Sequence, residues 1–267
     1  MVSLSMTSIK NYMRCPKSFE FMNIHGLEDQ KPKSVAIENG THFHQYMEYA
    51  ATGRAEELDW DTEMGRVAKT YLKHNPLPGN ILSADKQHSF MLYPDVKITF
   101  SRDLVYQPNP KCVIVRDWKT FSRLPTYDID LDFQGRFYIW ATMHTFPDIE
   151  YAGFELAYCR TEEPLVFRGP KKDPWTIEQC YPKVQQMVLS KEELADDALE
   201  FMEIIDEILH KVRTNARFRR HPQKAGGYSD CSSCFVKDMC KSQKQGTLDL
   251  TNPWATAQKT DRGTIFE

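Results

Sequence analysis

Apolar side chains recur along this chain at two spacings, and the changes from one to the other outline its elements. Helical spacing runs from Asp61 to His74, where Met64, Val67, Ala68 and Tyr71 form one stripe before Asn75-Pro76 and a Pro-Gly turn stop it. Val35 to Ala51 reads as a second helix, interrupted in pattern only by Gly40. Asp130 to Met143 is a third, with Phe133, Phe137, Trp140 and Ala141 on its core side. A capping-box signature, Ser190-Lys191-Glu192-Glu193, opens a long helix whose apolar side is Leu194, Leu199, Met202, Ile205, Ile208 and Leu209. Near the N-terminus, Ser8 is the expected N-cap for Ile9, Tyr12 and Met13. Cys15-Pro16 then breaks the pattern, and Phe19 and Phe21 resume it. Strands are expected at Gln87–Tyr93 and Val96–Phe100, and as a pair at Tyr151–Arg160 and Leu165–Arg168 across Thr161-Glu162-Glu163-Pro164.

The stretch Ser101 to Thr120 reads as a β-hairpin. Leu104–Tyr106 and Cys112–Val115 are its arms, and Gln107-Pro108-Asn109-Pro110-Lys111 is its turn. In an antiparallel pair, facing positions add to a constant. A turn centred on Pro110 makes that constant 220, so Asp103 faces Asp117. Lys119 points to the same face as Asp117, and Trp118 to the other. Like charges directly opposite on a sheet are destabilising, and a divalent cation such as Mg²⁺, which takes carboxylate oxygens, is the simplest group to place between them. A salt-bridged hairpin end, with Lys119 pairing both aspartates, is the alternative.

Composition narrows the class. The chain has 267 residues, 41% hydrophobic and 12% aromatic, enough for a large domain with a substantial core. No apolar run is long enough to span a bilayer, and the first residues do not read as a secretory signal, so a soluble, cytoplasmic protein without membrane contact is expected. The net charge of -3 does not advertise a nucleic-acid binder, although local patches decide such binding. One such patch is the basic stretch Lys211, Arg213, Arg217, Arg219, Arg220 and His221 around Phe218, readable as a phosphate-tracking surface or as a solvated helix end. Seven cysteines in a chain with no sign of secretion point to metal before disulfides. Cys231, Cys234 and Cys240 stand at C-x2-C-x5-C spacing, which places three thiolates within reach of one centre and leaves the fourth ligand to come from elsewhere. Spacing alone also allows a structural zinc site. Cys112, Cys159 and Cys180 fall in expected strand or loop positions and are spare.

Asp103, followed by Asp117-Trp118-Lys119, resembles the D…(D/E)-x-K core of the PD-(D/E)XK nuclease superfamily. Arg102 stands where the family pattern has proline. The literal Pro94-Asp95 would pair Asp95 with position 125, past the strand end, which makes Asp95 a turn residue. Gly40, His44 and Glu48 share one helix face at i, i+4 steps. A hydrogen-bonded interior histidine would explain His44, but Gly-x-x-x-His-x-x-x-Glu also resembles the family's first motif, in which the histidine helps bind the catalytic metal. Gln134 and Tyr138 resemble the Gln-x-x-x-Tyr element of RecB-like members, with Arg136 between them as a candidate phosphate contact. Cys15 together with the C-terminal triplet is similar to the 4Fe-4S arrangement of AddB-type and CRISPR-associated RecB-like exonucleases.

The resemblance covers about Ser3 to Lys241 and implies an α/β, restriction-endonuclease-like fold with a central mixed sheet flanked by helices. Residues 1–241 would form one nuclease domain, with 1–30 and 211–241 making a helical lobe around the cluster, and 242–267 a polar tail. It implies that His44, Asp103, Asp117 and the Trp118 carbonyl hold Mg²⁺ or Mn²⁺. Lys119 would activate water or stabilise charge on phosphate, Gln134 would orient the site, and Tyr138 would touch the nucleic acid. Cys15, Cys231, Cys234 and Cys240 would ligate the 4Fe-4S cluster, with Zn²⁺ as the alternative occupant. A cross-link closing a loop of about 200 residues is worth roughly 5 kcal/mol in the chain-entropy model, so the cluster's expected role is structural. The implied activity is exonucleolytic cleavage of single-stranded DNA or DNA ends, 5′ to 3′, in recombination, repair or phage DNA processing, with a helicase or recombinase as partner. An endonuclease of the same fold, or a DNA-binding module whose chemistry is idle, is the alternative.

Overall fold

In the computed structural model, which describes residues 1–28, 32, 34–124, 128–166, 168–169, 172–220, 231 and 234–244, the elements run β1 (Val2–Ser5), α1 (Met6–Arg14), α2 (Pro16–Phe19), α3 (Val35–Ala51), α4 (Glu63–His74), β2 (Ile81–Tyr93), β3 (Val96–Asn109), β4 (Cys112–Phe121), α5 (Phe133–Thr145), β5 (Tyr151–Arg160), α6 (Ile177–Cys180), β6 (Gln185–Ser190), α7 (Ala195–Thr214) and α8 (Lys237–Lys244). The class is α/β, with a mixed central sheet flanked by helices, as expected. The chain divides into two compact units, residues 1–32, 89–100 and 199–267, and residues 33–88 and 101–198. None of the described helices is long and apolar enough to cross a membrane.

The second unit is built on the hairpin. Leu104 faces Arg116, Val105 faces Val115 and Tyr106 faces Ile114, so the constant is 220 and the ladder runs toward Asp103 and Asp117. Past Tyr106 the register shifts to Asn109 opposite Cys112. The connection is therefore Pro110-Lys111 alone, shorter than the five-residue turn expected, with the irregularity absorbed inside the strand. β4 also pairs in parallel with β5, from Cys112–Tyr151 to Phe121–Arg160, and β5 pairs antiparallel with β6. The expected strand at Leu165–Arg168 is not there: its described residues are turn and irregular, and Phe167 lies outside them. Pro164 precedes Leu165, whose φ of 59° no strand allows. β5 is buried along nearly its whole length, and as an inner strand it takes partners on both edges, β4 and β6.

Alternation along β4 decides the layers. Trp118 joins a core with Leu104, Tyr106 and Ile114, covered by Phe43 and Met47 of α3 and by Met64, Val67, Ala68 and Tyr71 of α4. On this same face Arg116 Nε donates to Glu155 Oε2 at 2.7 Å. Tyr106 Oη at 2.7 Å and Gln186 Nε2 at 3.2 Å both donate to Glu155 Oε1. One buried carboxylate thus links side chains from β3, β4, β5 and β6. α5 packs with β5: an added Cβ at Gly135 would stand 2.5 Å from Phe154 Cδ1, so only glycine permits this approach. The Tyr138 and Phe154 ring centroids are 5.8 Å apart.

In the first unit β1 pairs in parallel with Val96–Thr99 of β3. α1 begins three residues earlier than expected, because Ser5 rather than Ser8 is the N-cap. Ser8 closes the capping box from its third turn position instead. Cys15 ends α1 and Pro16 opens α2, as Cys15-Pro16 suggested. Tyr12, Phe19 and Phe218 form an aromatic cluster, with centroids 5.5 to 6.3 Å apart. Ser190 and Glu193 make both capping-box bonds ahead of α7. Leu199, expected on the apolar side of α7, is 61% exposed; Phe201, Ile205, Ile208 and Leu209 are the buried stripe. α8 continues to Lys244, so the expected tail boundary at 242 falls within a helix. His221 and the tail from residue 245 lie outside the described residues.

Truncating Glu155 to alanine leaves the Arg116 guanidinium, 11% exposed, without its ion-pair partner. A broken buried pair of this kind costs about 3–5 kcal/mol. The Glu155→Ala midpoint in urea should fall accordingly, and a midpoint equal to wild type would show that the network carries no such weight.

Candidate active site and cysteine cavity

All in the second unit, His44 contacts Asp103, while Gln134 and Lys119 both contact Asp117. α3, capped by Ser34, carries His44 in its middle turns, where Nδ1 lies 3.2 Å from Asp103 Oδ1. The other Asp103 oxygen accepts the Trp118 main-chain N–H at 2.8 Å. Asp117 is 4% exposed. Its Oδ1 accepts from Gln134 Nε2 at 3.0 Å. Its Oδ2 lies 2.6 Å from Lys119 Nζ, an ion pair that does not meet hydrogen-bond angles. Asp132 caps α5 by accepting from Gln134 N and Gly135 N, and so sets the first turn that carries Gln134. Gly40 keeps α3 close to β4: a Cβ there would meet the Thr120 side-chain Oγ1 at 3.2 Å.

The electrostatics follow from burial and like charge. Burial, and then the charge of Asp103, push the Asp117 carboxyl up to about 6, against a downward pull from Lys119. Burial pulls His44 down, but the hydrogen bond to Asp103 and the charge behind it outweigh this, and its affinity for a proton is raised. Lys119 loses to burial and gains more from Asp117 and Asp103, so it is held as an ammonium.

Other sequence candidates sit differently. Trp118 brings only its main chain to the aspartates; its indole is in the core. Tyr138 is buried, and its hydroxyl donates to the Ser101 carbonyl at 2.7 Å, which ties α5 to β3 two residues before Asp103. Glu48 pairs with Arg54 at 2.8 Å, and His42 is exposed. Arg136 is not an open phosphate contact, since it bonds the Asp130 carbonyl and ion-pairs Asp197. In the basic stretch, Lys211 pairs with Glu207, Arg213 with Asp95, and Arg220 bonds Cys240. Two neighbours of the site escaped the sequence reading. Tyr158 stands in register beside Lys119 on β5, and burial, then Asp132, push its hydroxyl up. Asp132, besides capping α5, adds to the field at Lys119. Only the parallel β4–β5 pairing brings Tyr158 here, and no local pattern signals it.

The Asp103 and Asp117 carboxylates are hard oxygen donors of the kind Mg²⁺ and Mn²⁺ take, and His44 adds a borderline nitrogen beside Asp103. Asp117 Oδ2, buried and short of hydrogen-bond geometry, has acceptor capacity to spare. Among the described residues, no three His, Cys, Asp or Glu side chains close up as a finished metal group.

In the first unit, Cys15, Cys231, Cys234 and Cys240 line one cavity of ≈ 350 Å³, bordered by Lys17, Arg220, Lys237 and Lys241. Four thiols fit a zinc ion or an iron-sulfur cluster, and the basic border complements the negative charge that either thiolate site carries. Cys112, Cys159 and Cys180 are buried thiols of the second unit, Cys180 at the end of α6 rather than in a strand or loop.

The model for the PD-(D/E)XK nuclease superfamily matches residues 3–241. No curated protein matches the chain in sequence. Among solved structures it is similar to a presumed exonuclease from Eubacterium rectale, at 12% identity over 86% of this chain and 87% of that one, with a TM-score of 0.49. It is also similar to the protein SSO0001, at 12% identity over 90% of this chain and 86% of that one, with a TM-score of 0.33.

A carboxyl held at about 6 must release its proton before a cation can use it. Below that pH the proton competes, and the cost rises about tenfold per pH unit. Mn²⁺ affinity measured by calorimetry should therefore be about tenfold weaker at pH 5 than at pH 7.5. An affinity flat across that range would remove Asp117 from the binding site.

Proposed function

Because the chain belongs to the PD-(D/E)XK nuclease superfamily, matched over residues 3–241, we propose that it is a divalent-metal-dependent DNA nuclease acting at the His44–Asp103–Asp117–Lys119 site. The observation that carries this reading is that two contacting sets, His44 with Asp103 and Gln134 with Asp117 and Lys119, are joined where Asp103 accepts the Trp118 main-chain N–H, between Asp117 and Lys119. Mg²⁺ or Mn²⁺ held by His44, Asp103, Asp117 and the Trp118 carbonyl would supply Lewis acidity toward the scissile phosphate.

The chain's own groups do the rest. His44 and the Trp118 N–H fix the two oxygens of Asp103, and Gln134 fixes one oxygen of Asp117. Lys119, 45% exposed, presents its ammonium to the substrate side. That ammonium can stabilise the negative charge that builds on phosphate oxygens or orient the attacking water. Tyr138 is a positioning residue that holds Ser101, and through it Asp103, against α5.

Finer assignments follow the RecB-like resemblance of the motifs. Single strands or DNA ends are the substrate, cleavage is exonucleolytic with 5′ to 3′ polarity, and the work lies in recombination, repair or phage DNA processing beside a helicase or recombinase. Cys15, Cys231, Cys234 and Cys240 hold a 4Fe-4S cluster with a structural role, supported by their common cavity.

End-labelled linear single-stranded DNA with Mn²⁺ tests the activity. Wild type should release label progressively from one end, and Lys119→Ala should be slower by about 10²–10³, the cost of losing one preorganised charge-stabilising group. Nicking of circular DNA would show an endonuclease instead, and binding without cleavage would show an idle module. The cluster reading predicts broad visible absorption from anaerobically purified protein; a colourless, zinc-loaded protein would overturn it.

A further inference from the structure

We infer that Arg220 is a positioning residue for the cluster, fixing Cys240 through a two-pronged hydrogen bond to its sulfur and its backbone; this rests on the 4Fe-4S reading of the cavity. Arg220 Nε donates to Cys240 Sγ at 3.1 Å, and Nη2 donates to the Cys240 carbonyl at 3.0 Å. Both donors belong to one planar group, so the sulfur and the peptide that carries it are held together. The Arg220 backbone is itself anchored on the other side of the cavity. Lys17 N donates to the carbonyl of the preceding residue, Arg219, at 3.0 Å, and Lys17 lies two residues after Cys15. Arg220 therefore spans from the Cys15 side to the Cys240 side, with Lys17, Lys237 and Lys241 lining the same cavity.

Cys240 needs such a clamp more than its partners do. Cys231 and Cys234 are three residues apart, whereas Cys240 lies six further on, in α8. A sulfur that ligates iron carries negative charge. A guanidinium N–H aimed at it draws off part of that charge, which raises the cluster's reduction potential and keeps the ligand on the metal. A lysine ammonium would supply the charge without the fork.

The test uses full-length protein loaded anaerobically, with iron and sulfide contents, the dye-mediated midpoint potential and the rate of bleaching by EDTA as readouts. Arg220→Gln should have a more negative midpoint and bleach about tenfold faster, the worth of one hydrogen bond to a charged group. Arg220→Lys should fall between Arg220→Gln and wild type. If Arg220→Gln retains no cluster, Arg220→Lys carries the comparison, and faster bleaching than wild type supports the clamp. Wild-type behaviour of either variant overturns it. An equal effect from Lys237→Gln also overturns it, because total charge in the cavity would then be the cause. A wild type without iron overturns the cluster reading and the clamp together, whereas an iron-loaded wild type with unmoved variants overturns the clamp alone.

Discussion

Two aspartates at the end of one antiparallel ladder repel each other, and the second unit is arranged around that repulsion. Burial makes it worse, because a low-dielectric setting strengthens every uncompensated charge. The compensating groups come from three elements. His44 reaches Asp103 from α3, the Trp118 N–H and the Lys119 ammonium come from β4, and Gln134 reaches Asp117 from α5. The His44 and Gln134 contacts are also tethers between a helix and the sheet. The compensation is incomplete: even with Lys119 beside it, the Asp117 carboxyl stays at about 6 instead of near its ordinary 3.8. A site that still resists ionisation after receiving an ammonium and an amide has use for further positive charge.

The same strand carries a second buried network on its opposite face, and the two must be read together. Arg116 points to the α3–α4 side and pairs with Glu155, which also takes Tyr106 and Gln186. A buried ion pair is weak evidence of stability, since desolvation offsets its attraction. Its effect here is on register. A slip of one residue would turn Asp117 into the apolar core and Arg116 out of it, exchanging every partner on both faces. The network on one face therefore protects the geometry on the other. Nothing in the Asp-x-Lys motif itself could enforce this.

What was legible in the sequence is what depends on near neighbours. The hairpin constant of 220 holds from Tyr106 to Leu104, although the turn itself pairs Asn109 with Cys112 and a strand irregularity makes up the difference, and α3 spans Val35–Ala51 as its apolar spacing indicated. The failures are tertiary. β6 carries little pattern of its own and exists because β5 needs a second partner. Leu165–Arg168 has strand-like composition, yet Pro164 and a left-handed Leu165 turn the chain away. Ser5 and Ser8 are both good caps, and the choice between them depends on where β1 ends against β3. At the candidate site, Asp103, Asp117 and Lys119 could be grouped from strand alternation alone. Tyr158 could not, because the parallel β4–β5 register that places it is set far away in the chain. Tyr138 was visible as a residue but not by its contacts: the spacing could not reveal that its hydroxyl is spent on Ser101.

The first unit presents the opposite balance, since its candidate ligands are plain in the sequence and its packing is not. Loop entropy alone would credit a cluster with bringing the two chain ends together. The structure shows other forces already doing so, through the rings of Tyr12, Phe19 and Phe218, the Lys211–Tyr12 hydrogen bond at 2.8 Å and the Lys17–Arg219 backbone bond. These contacts hold Cys15 beside the chain up to Arg220. The residues around Cys234 and Cys240 have much less: Phe21, Leu27 and Val236 are the buried members of their apolar cluster, with Phe235 and Met239 only partly covered. Arg220 is where the well-packed part meets the thinly packed part. A group bound by all four sulfurs would therefore add most where apolar burial is least, at Cys231 and along α8, and its stabilising effect would be local there rather than spread over the loop between the chain ends.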